Sequence, residues 1–348
     1  MWMIVFIYVL TLGSLLVGWG NPTLSLRNPK SRLFNILFCL ILILFVGFRD
    51  GENMPDYSNY LEWFQHPGQR GVEESFFLIL NSIKSIGAPK IFLFVIYAAI
   101  SVSIRYYAII KYSPLQMFSM AAWFSFILIL HEMIQIRAAV ASALMLFLIP
   151  LIFNKRYIAA FIVILISFLF HRSALIFILL FFINTKKDYW WFWTGCYLLI
   201  LFLYIQGLQP LDTLGINALI GEEISLIDGE AREIIGEKDL PNMLNAISLI
   251  ETVTCFLILF RIKKISEIYP MAKIWLKIGF ISITIYGTGI YIISVRLAEM
   301  FSTVFIFLMP LVYYCFDGKY GKVLGKITVF VLIIAHLSLT VFFREYIS

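Results

Sequence analysis

Leu33 to Phe48 reads LFNILFCLILILFVGF, an apolar run that crosses most of the hydrocarbon of a bilayer as a helix before it meets Arg49 and Asp50. Comparable runs fill the chain at about 1–19, 33–48, 89–105, 114–130, 136–153, 157–170, 172–185, 189–206, 243–260, 274–294, 298–316 and 324–342. Lipid offers the backbone no hydrogen-bond partner, so each run is expected as a helix. With 61% apolar and 14% charged residues in 348, there is too little polar surface to wrap a soluble core. The expectation is an all-α polytopic membrane protein of about twelve transmembrane helices, forming a single integral membrane domain over 1–348.

Basic residues orient these runs. With the N-terminus outside, Arg27, Lys30, Arg32, Arg105, Lys111, Lys155, Arg156, Lys186, Lys187, Arg261, Lys263, Lys264, Lys273, Lys319 and Lys322 all fall on the cytoplasmic side, among few acids. Most acids fall on the opposite face, in the outer segments 49–88 and 206–242. Val72 to Gly87 has an apolar face but also Asn81 and Lys84, and counting it as a span would reverse every later basic loop. It is expected as a re-entrant or surface-lying helix. The 157–185 region reads either as one long tilted helix or as two short ones meeting near His171, Arg172 and Ser173. Spaced apolar residues between acids make 206–242 an amphipathic loop fit to cap a cavity.

Cys39, Cys196, Cys255 and Cys315 stand singly in apolar runs and read as small buried hydrophobes. No ligand spacing calls for a metal and no phosphate-binding loop calls for a nucleotide, so no cofactor is expected. The net charge of +6 reflects membrane orientation rather than a nucleic-acid partner.

The candidate site residues stand where charge meets apolar sequence on the outer side. They are Arg49; Glu132, Gln135 and Arg137 in HEMIQIRAA; His171, Arg172 and Ser173 in FHRSALI; and Arg296 in VRLAEMF. For any one arginine the ordinary explanation is a helix end snorkelling to headgroups. Four arginines from four regions run against the positive-inside bias, and a diphosphate ligand would give them a common purpose. The guanidinium fork bonds phosphoryl oxygens bidentately, and in a low-dielectric cavity it neutralises a leaving pyrophosphate without a metal. His171 suits a general base for a sugar hydroxyl, an orienting donor or a structural residue, with Asp50, Asp56 and Glu132 as rival bases. Tyr57 and Tyr60 stack on sugar or anchor at the interface, and the apolar surroundings of Glu251 call for a basic partner such as Arg296.

GFRDGENMPDYSNY at 47–60, IQIRAAVASALMLF at 134–147, FHRSALI at 170–176 and VRLAEMF at 295–301 together resemble the EpsG family of Wzy-like polysaccharide polymerases. The resemblance implies a GT-C-like glycosyltransferase of the bacterial inner membrane, acting on its periplasmic or outer face. Its donor and acceptor would be undecaprenyl-diphosphate-linked glycans of O-antigen or exopolysaccharide, with a chain-length regulator as a candidate partner. It carries Arg49, Asp50, Arg137, His171, Ser173 and Arg296 over as site residues. An O-antigen ligase, another lipid-linked transferase, or a polysaccharide transporter or flippase with discontinuous helices would share many of these features.

Overall fold

The computed structural model describes residues 2–52, 54–66, 72–184, 187–208, 242–288 and 291–343. Every regular element among them is helical. Helices α1 (Trp2–Gly20) and α2 (Arg32–Gly47) are followed by the short α3 (Tyr57–Gln65) and α4 (Glu74–Ser85) and by the long α5 (Ile91–Tyr112). Helix α6 (Gln116–Ala122) runs directly into a π-helix, Trp123–Ile134, and after one residue α7 (Ile136–Phe153) begins. Then come α8 (Tyr157–Phe170), a 3-10 helix (Arg172–Phe182) and α9 (Trp190–Ile205). The last described elements are α10 (Ala246–Ile268), α11 (Ala272–Ile285), α12 (Tyr291–Ser302), α13 (Phe305–Leu311) and α14 (Gly321–Phe343).

Six helices among the described residues are long and apolar enough to cross a membrane: Trp2–Gly20, Pro29–Gly47, Ile91–Tyr112, Gln116–Ile134, Ile136–Phe153 and Gly321–Phe342. Ser294–Ser302 and Phe305–Cys315, bent by 53° across a short break, make a seventh if taken as one broken span. The expected count of about twelve does not follow from helix length. The 298–316 segment, expected as one span, is interrupted between Ser302 and Phe305, and α8, the 3-10 helix and α9 are apolar but short. The break in 157–185 falls at His171, whose extended backbone (φ −156°, ψ 117°) separates two short helices. Helix α4 buries Phe76, Leu80 and Ile83 at helical spacing against α5 and α8. Its 12 residues are too few to cross hydrocarbon. The amphipathic helices expected in 206–242 fall on residues 209–241, outside the described residues.

Arg105 corrects one sequence expectation. Instead of lying in a cytoplasmic loop it is fully buried in α5, because the helix continues to Tyr112. Its Nε faces Glu132 Oε1 at 2.6 Å, Nη1 donates to Thr303 Oγ1 at 2.6 Å, and Nη2 donates to Ser142 Oγ at 2.8 Å and to the Ala139 carbonyl at 3.1 Å. One guanidinium thereby ties the π-helix, α7 and the α12–α13 break together. A second, smaller apolar cluster, including Tyr60, Phe76, Phe94, Tyr97, Ile136 and Val140, joins α3 and α4 to the ends of α5 and α7.

Candidate active site

The GFRDG stretch closes α2 by two close approaches. A Cβ on Gly47 would lie 2.8 Å from Val95 Cα, so this glycine lets α2 rest on the backbone of α5. A Cβ on Gly51 would meet the Tyr57 ring at 2.3 Å, so this one lets the tyrosine fold over the turn. Tyr57 then stacks on Phe94 with ring centroids 4.6 Å apart, and the Arg49 guanidinium lies 4.9 Å from the Phe94 centroid. Arg49 is 2% exposed. Its Nη1 donates to the Val46 carbonyl at 2.8 Å, while its Nε has no acceptor among the described residues. No carboxylate among them lies within ion-pair distance of it. Burial lowers its pKa to about 10, which still leaves it a cation at neutral pH.

Aromatic rings lead from this cation to a second one. Tyr60 sits edge-on to Phe94 at 6.2 Å and to Trp63 at 5.5 Å, and the Arg137 guanidinium lies 4.7 Å from the Trp63 centroid and 5.7 Å from that of Tyr60. Burial pushes the Tyr60 hydroxyl up to about 12 against the pull of Arg137, so it stays a neutral donor.

Arg137, in the first turn of α7, forms an ion pair through Nη1 with Glu73 Oε2. The other oxygen of Glu73 receives His171 Nδ1 at 3.1 Å and the Arg172 backbone N–H at 3.2 Å. Ser75 Oγ donates to the Leu169 carbonyl at 2.5 Å and pins the start of α4 to the end of α8, which is why a residue ahead of α4 reaches the His171 break. Burial pushes the Glu73 carboxyl up, but the hydrogen bond from His171 and the charge of Arg137 outweigh it and hold it at about 2. An ionised carboxylate only accepts, so Nδ1 of His171 carries a proton, and in the neutral ring Nε2 keeps its lone pair. A hydroxyl reaching Nε2 can give up its proton there.

The match to known proteins bears on this arrangement. Residues 32–347 fit the model of the EpsG family. The chain belongs to the EpsG family. The amylovoran biosynthesis protein AmsC of Erwinia amylovora is 26% identical to it over 230 residues, 58% of this chain and 59% of that relative's length. The chain thus spans less than two thirds of the curated relative that it matches. No solved structure matches. The helices and the family together make this a multi-pass membrane protein.

In this EpsG-family chain Arg49, Tyr57, Tyr60, Arg137 and His171 are joined through one set of contacts, and Arg172 enters it through its backbone N–H while its side chain is exposed. Ser173 is half-buried in the 3-10 helix that follows. Asp56 precedes α3 with φ +62°, and Asp50 is exposed with its carboxylate 3.4 Å from the Glu52 N–H. Glu132 stands apart, enclosed with Arg105 rather than beside Arg137, as its five-residue offset from Arg137 allows. His131 and Gln135 both reach Glu299, through its carbonyl at 3.1 Å and its carboxylate at 2.8 Å. Arg296 is exposed on α12, whereas Glu251 is 1% exposed with neither carboxylate oxygen hydrogen-bonded among the described residues, so the expected pairing of these two is not formed. Glu73 is the residue that sequence reasoning passed over. Its one signal was an acid directly ahead of an amphipathic helix, which reads equally as a helix-start preference.

Proposed function

We propose that this EpsG-family protein polymerises lipid-linked oligosaccharide repeat units. The growing glycan leaves its undecaprenyl diphosphate for a hydroxyl of a fresh lipid-linked unit, on the outer face of the bacterial inner membrane, in a single GT-C-like membrane domain. The observation that carries the reading is Arg49, a buried cation without a carboxylate partner among the described residues, joined through Phe94 and Tyr60 to Arg137. A buried charge is stable only with a counter-ion, and an anionic ligand supplies the one that the chain withholds. The name of the relative in amylovoran biosynthesis points to polysaccharide as the product class.

The chemistry follows from the donors present. Arg49 and Arg137 hold the donor diphosphate and neutralise the charge that grows on it, in the place a metal would otherwise take. The acceptor O–H bond breaks and its proton goes to His171 Nε2 as the acceptor oxygen bonds to the anomeric carbon. The bond from that carbon to the diphosphate oxygen breaks, and its electron pair leaves with the diphosphate. Attack opposite the leaving group inverts the anomeric centre. Tyr57 and Tyr60 line the path between the guanidiniums, and Asp50 and Asp56 edge it.

The test is transfer of a defined lipid-diphosphate oligosaccharide by purified protein in liposomes, read as product length. Arg137→Ala and His171→Ala are each expected to slow transfer at least about 100-fold. Normal turnover in both, in folded protein, refutes the reading. The helix breaks at His171 and between Ser302 and Phe305 are also features that a transporter would carry. Movement of glycan across the liposome wall without chain growth would select that alternative.

A further inference from the structure

Glu73 is an odd resident for a site that is to hold a diphosphate, because its carboxylate already sits on the donors a phosphoryl group would use. A guanidinium, an imidazole N–H and a backbone N–H at the start of a helix all converge on it. These are the donor types that bind phosphoryl oxygens. We propose that Glu73 Oε2 holds Arg137 in place of a phosphoryl oxygen of the lipid diphosphate, and that donor binding transfers Arg137 from Glu73 to phosphate while Glu73 Oε1 stays on His171 and Arg172. The proposal rests on the diphosphate reading above and adds the group that is displaced.

Three observations support the exchange. First, Glu73 uses Arg137 incompletely. Only Nη1 engages the carboxylate, Nε is buried with no acceptor among the described residues, and Trp63 and Tyr60 lie against the guanidinium. A planar fork that offers two parallel N–H bonds is being used through one, and a phosphoryl group can take both. Second, Arg49 also keeps a buried Nε without an acceptor, so of the two cations only Arg137 has a carboxylate within ion-pair distance among the described residues. A diphosphate carries the charge and the oxygens to serve both. Third, the two oxygens of Glu73 have separate tasks. Oε2 meets Arg137, while Oε1 meets His171 and Arg172, so the first can be released without disturbing the second.

The release has a catalytic consequence. With Arg137 on the phosphate, Glu73 keeps the Nδ1 proton of His171 in place and Nε2 turned to the acceptor hydroxyl. As the hydroxyl proton moves to Nε2, the imidazole becomes a cation, and the carboxylate freed from Arg137 faces it. Glu73 touches neither sugar nor phosphate in this scheme and acts through His171 and Arg137 as a positioning residue.

Titration of the purified full-length protein with inorganic pyrophosphate tests the exchange, since binding needs no turnover. Glu73→Gln keeps an acceptor for His171 and removes the competing charge, so it is expected to bind pyrophosphate about tenfold more tightly than the unmodified protein, a change of about 1.4 kcal/mol. Arg137→Ala is expected to lose at least about tenfold. In transfer assays Glu73→Gln is expected to lower the donor KM and kcat together, a split that simple loss of structure does not produce. Should Glu73→Gln fail to fold, Glu73→Asp, which draws the carboxylate back by one methylene, is expected to raise pyrophosphate affinity about threefold. Unchanged or weaker pyrophosphate binding in whichever of these variants folds overturns the exchange. If Arg137→Ala nevertheless weakens binding, the diphosphate reading survives that result; if Arg137→Ala binds normally, both fall.

Discussion

Glu132 competes with His171 for the role of base, and the fold gives a way to separate the two. Its side chain and that of Arg105 are both 0% exposed, with Nε and Oε1 2.6 Å apart as an ion pair whose N–H is not aligned for a hydrogen bond. At an effective dielectric of about 20, opposite charges at that separation attract by about 6 kcal/mol, most of which offsets the loss of hydration. Removing one partner leaves the other buried and unpaired. Glu132→Gln and Arg105→Met are therefore each expected to destabilise by about 3–5 kcal/mol. Arg105→Met with Glu132→Gln removes both charges and is expected within about 2 kcal/mol of the unmodified protein, a coupling of at least about 4 kcal/mol across the cycle. Thr303 and Ser142 lose a donor in that variant but are hydroxyls that turn to other acceptors; Ser142 already lies 3.2 Å from the Ala139 carbonyl. Unfolding by sodium dodecyl sulfate in mixed micelles, followed by circular dichroism, measures the cycle, and glycan transfer measures function. A cost below about 1 kcal/mol for Glu132→Gln would refute the electrostatic argument. A folded but inactive double variant would return Glu132 to the chemistry.

Arg49→Met removes a buried cation with no carboxylate partner among the described residues and is expected to stabilise the fold by about 1–3 kcal/mol while abolishing transfer; the same micelle titration and transfer assay report both. Gly51→Ala sets a methyl 2.3 Å from the Tyr57 ring and must move it off Phe94, at an expected cost of about 1–3 kcal/mol and a changed near-ultraviolet dichroism of the tyrosines. Glu73 is held at about 2 against an ordinary value of 4.5, so its contribution to stability is full above pH 4.5 and is lost as pH falls toward 2. That contribution is about 3 kcal/mol at most, and Glu73→Gln is expected to flatten the stability profile across this window.

The helical layout was legible because lipid leaves an apolar run few options, and Arg49 was legible because a charge at the end of such a run is costly enough to need a reason. The Arg105 error has the same physics behind it. A rule that assigns basic residues to loops cannot see that Tyr106 to Ile110 carries the helix onward, nor that Glu132 waits on another element. Gln135 and His131 stand four residues apart and share a partner, but that partner is Glu299, more than 160 positions further along the chain. Glu73 was illegible for a different reason: its inward placement depends on α4 folding back onto α8, a contact that Ser75 makes with a residue 94 positions away.

Among the described residues, the two arginines that the fold encloses most completely show what local sequence leaves out. Arg105 and Arg49 both follow apolar helical sequence, and both end up with almost no exposure. One meets a carboxylate at 2.6 Å and is electrically complete; the other meets a carbonyl and a ring, and no carboxylate among the described residues comes within ion-pair distance. Their surroundings in sequence give no hint of that difference, because it lies in which distant element arrives with a counter-charge. A buried arginine with its own anion holds a fold together. One without is open to an anionic ligand, and the proposed reading places that ligand at the GFRDG turn.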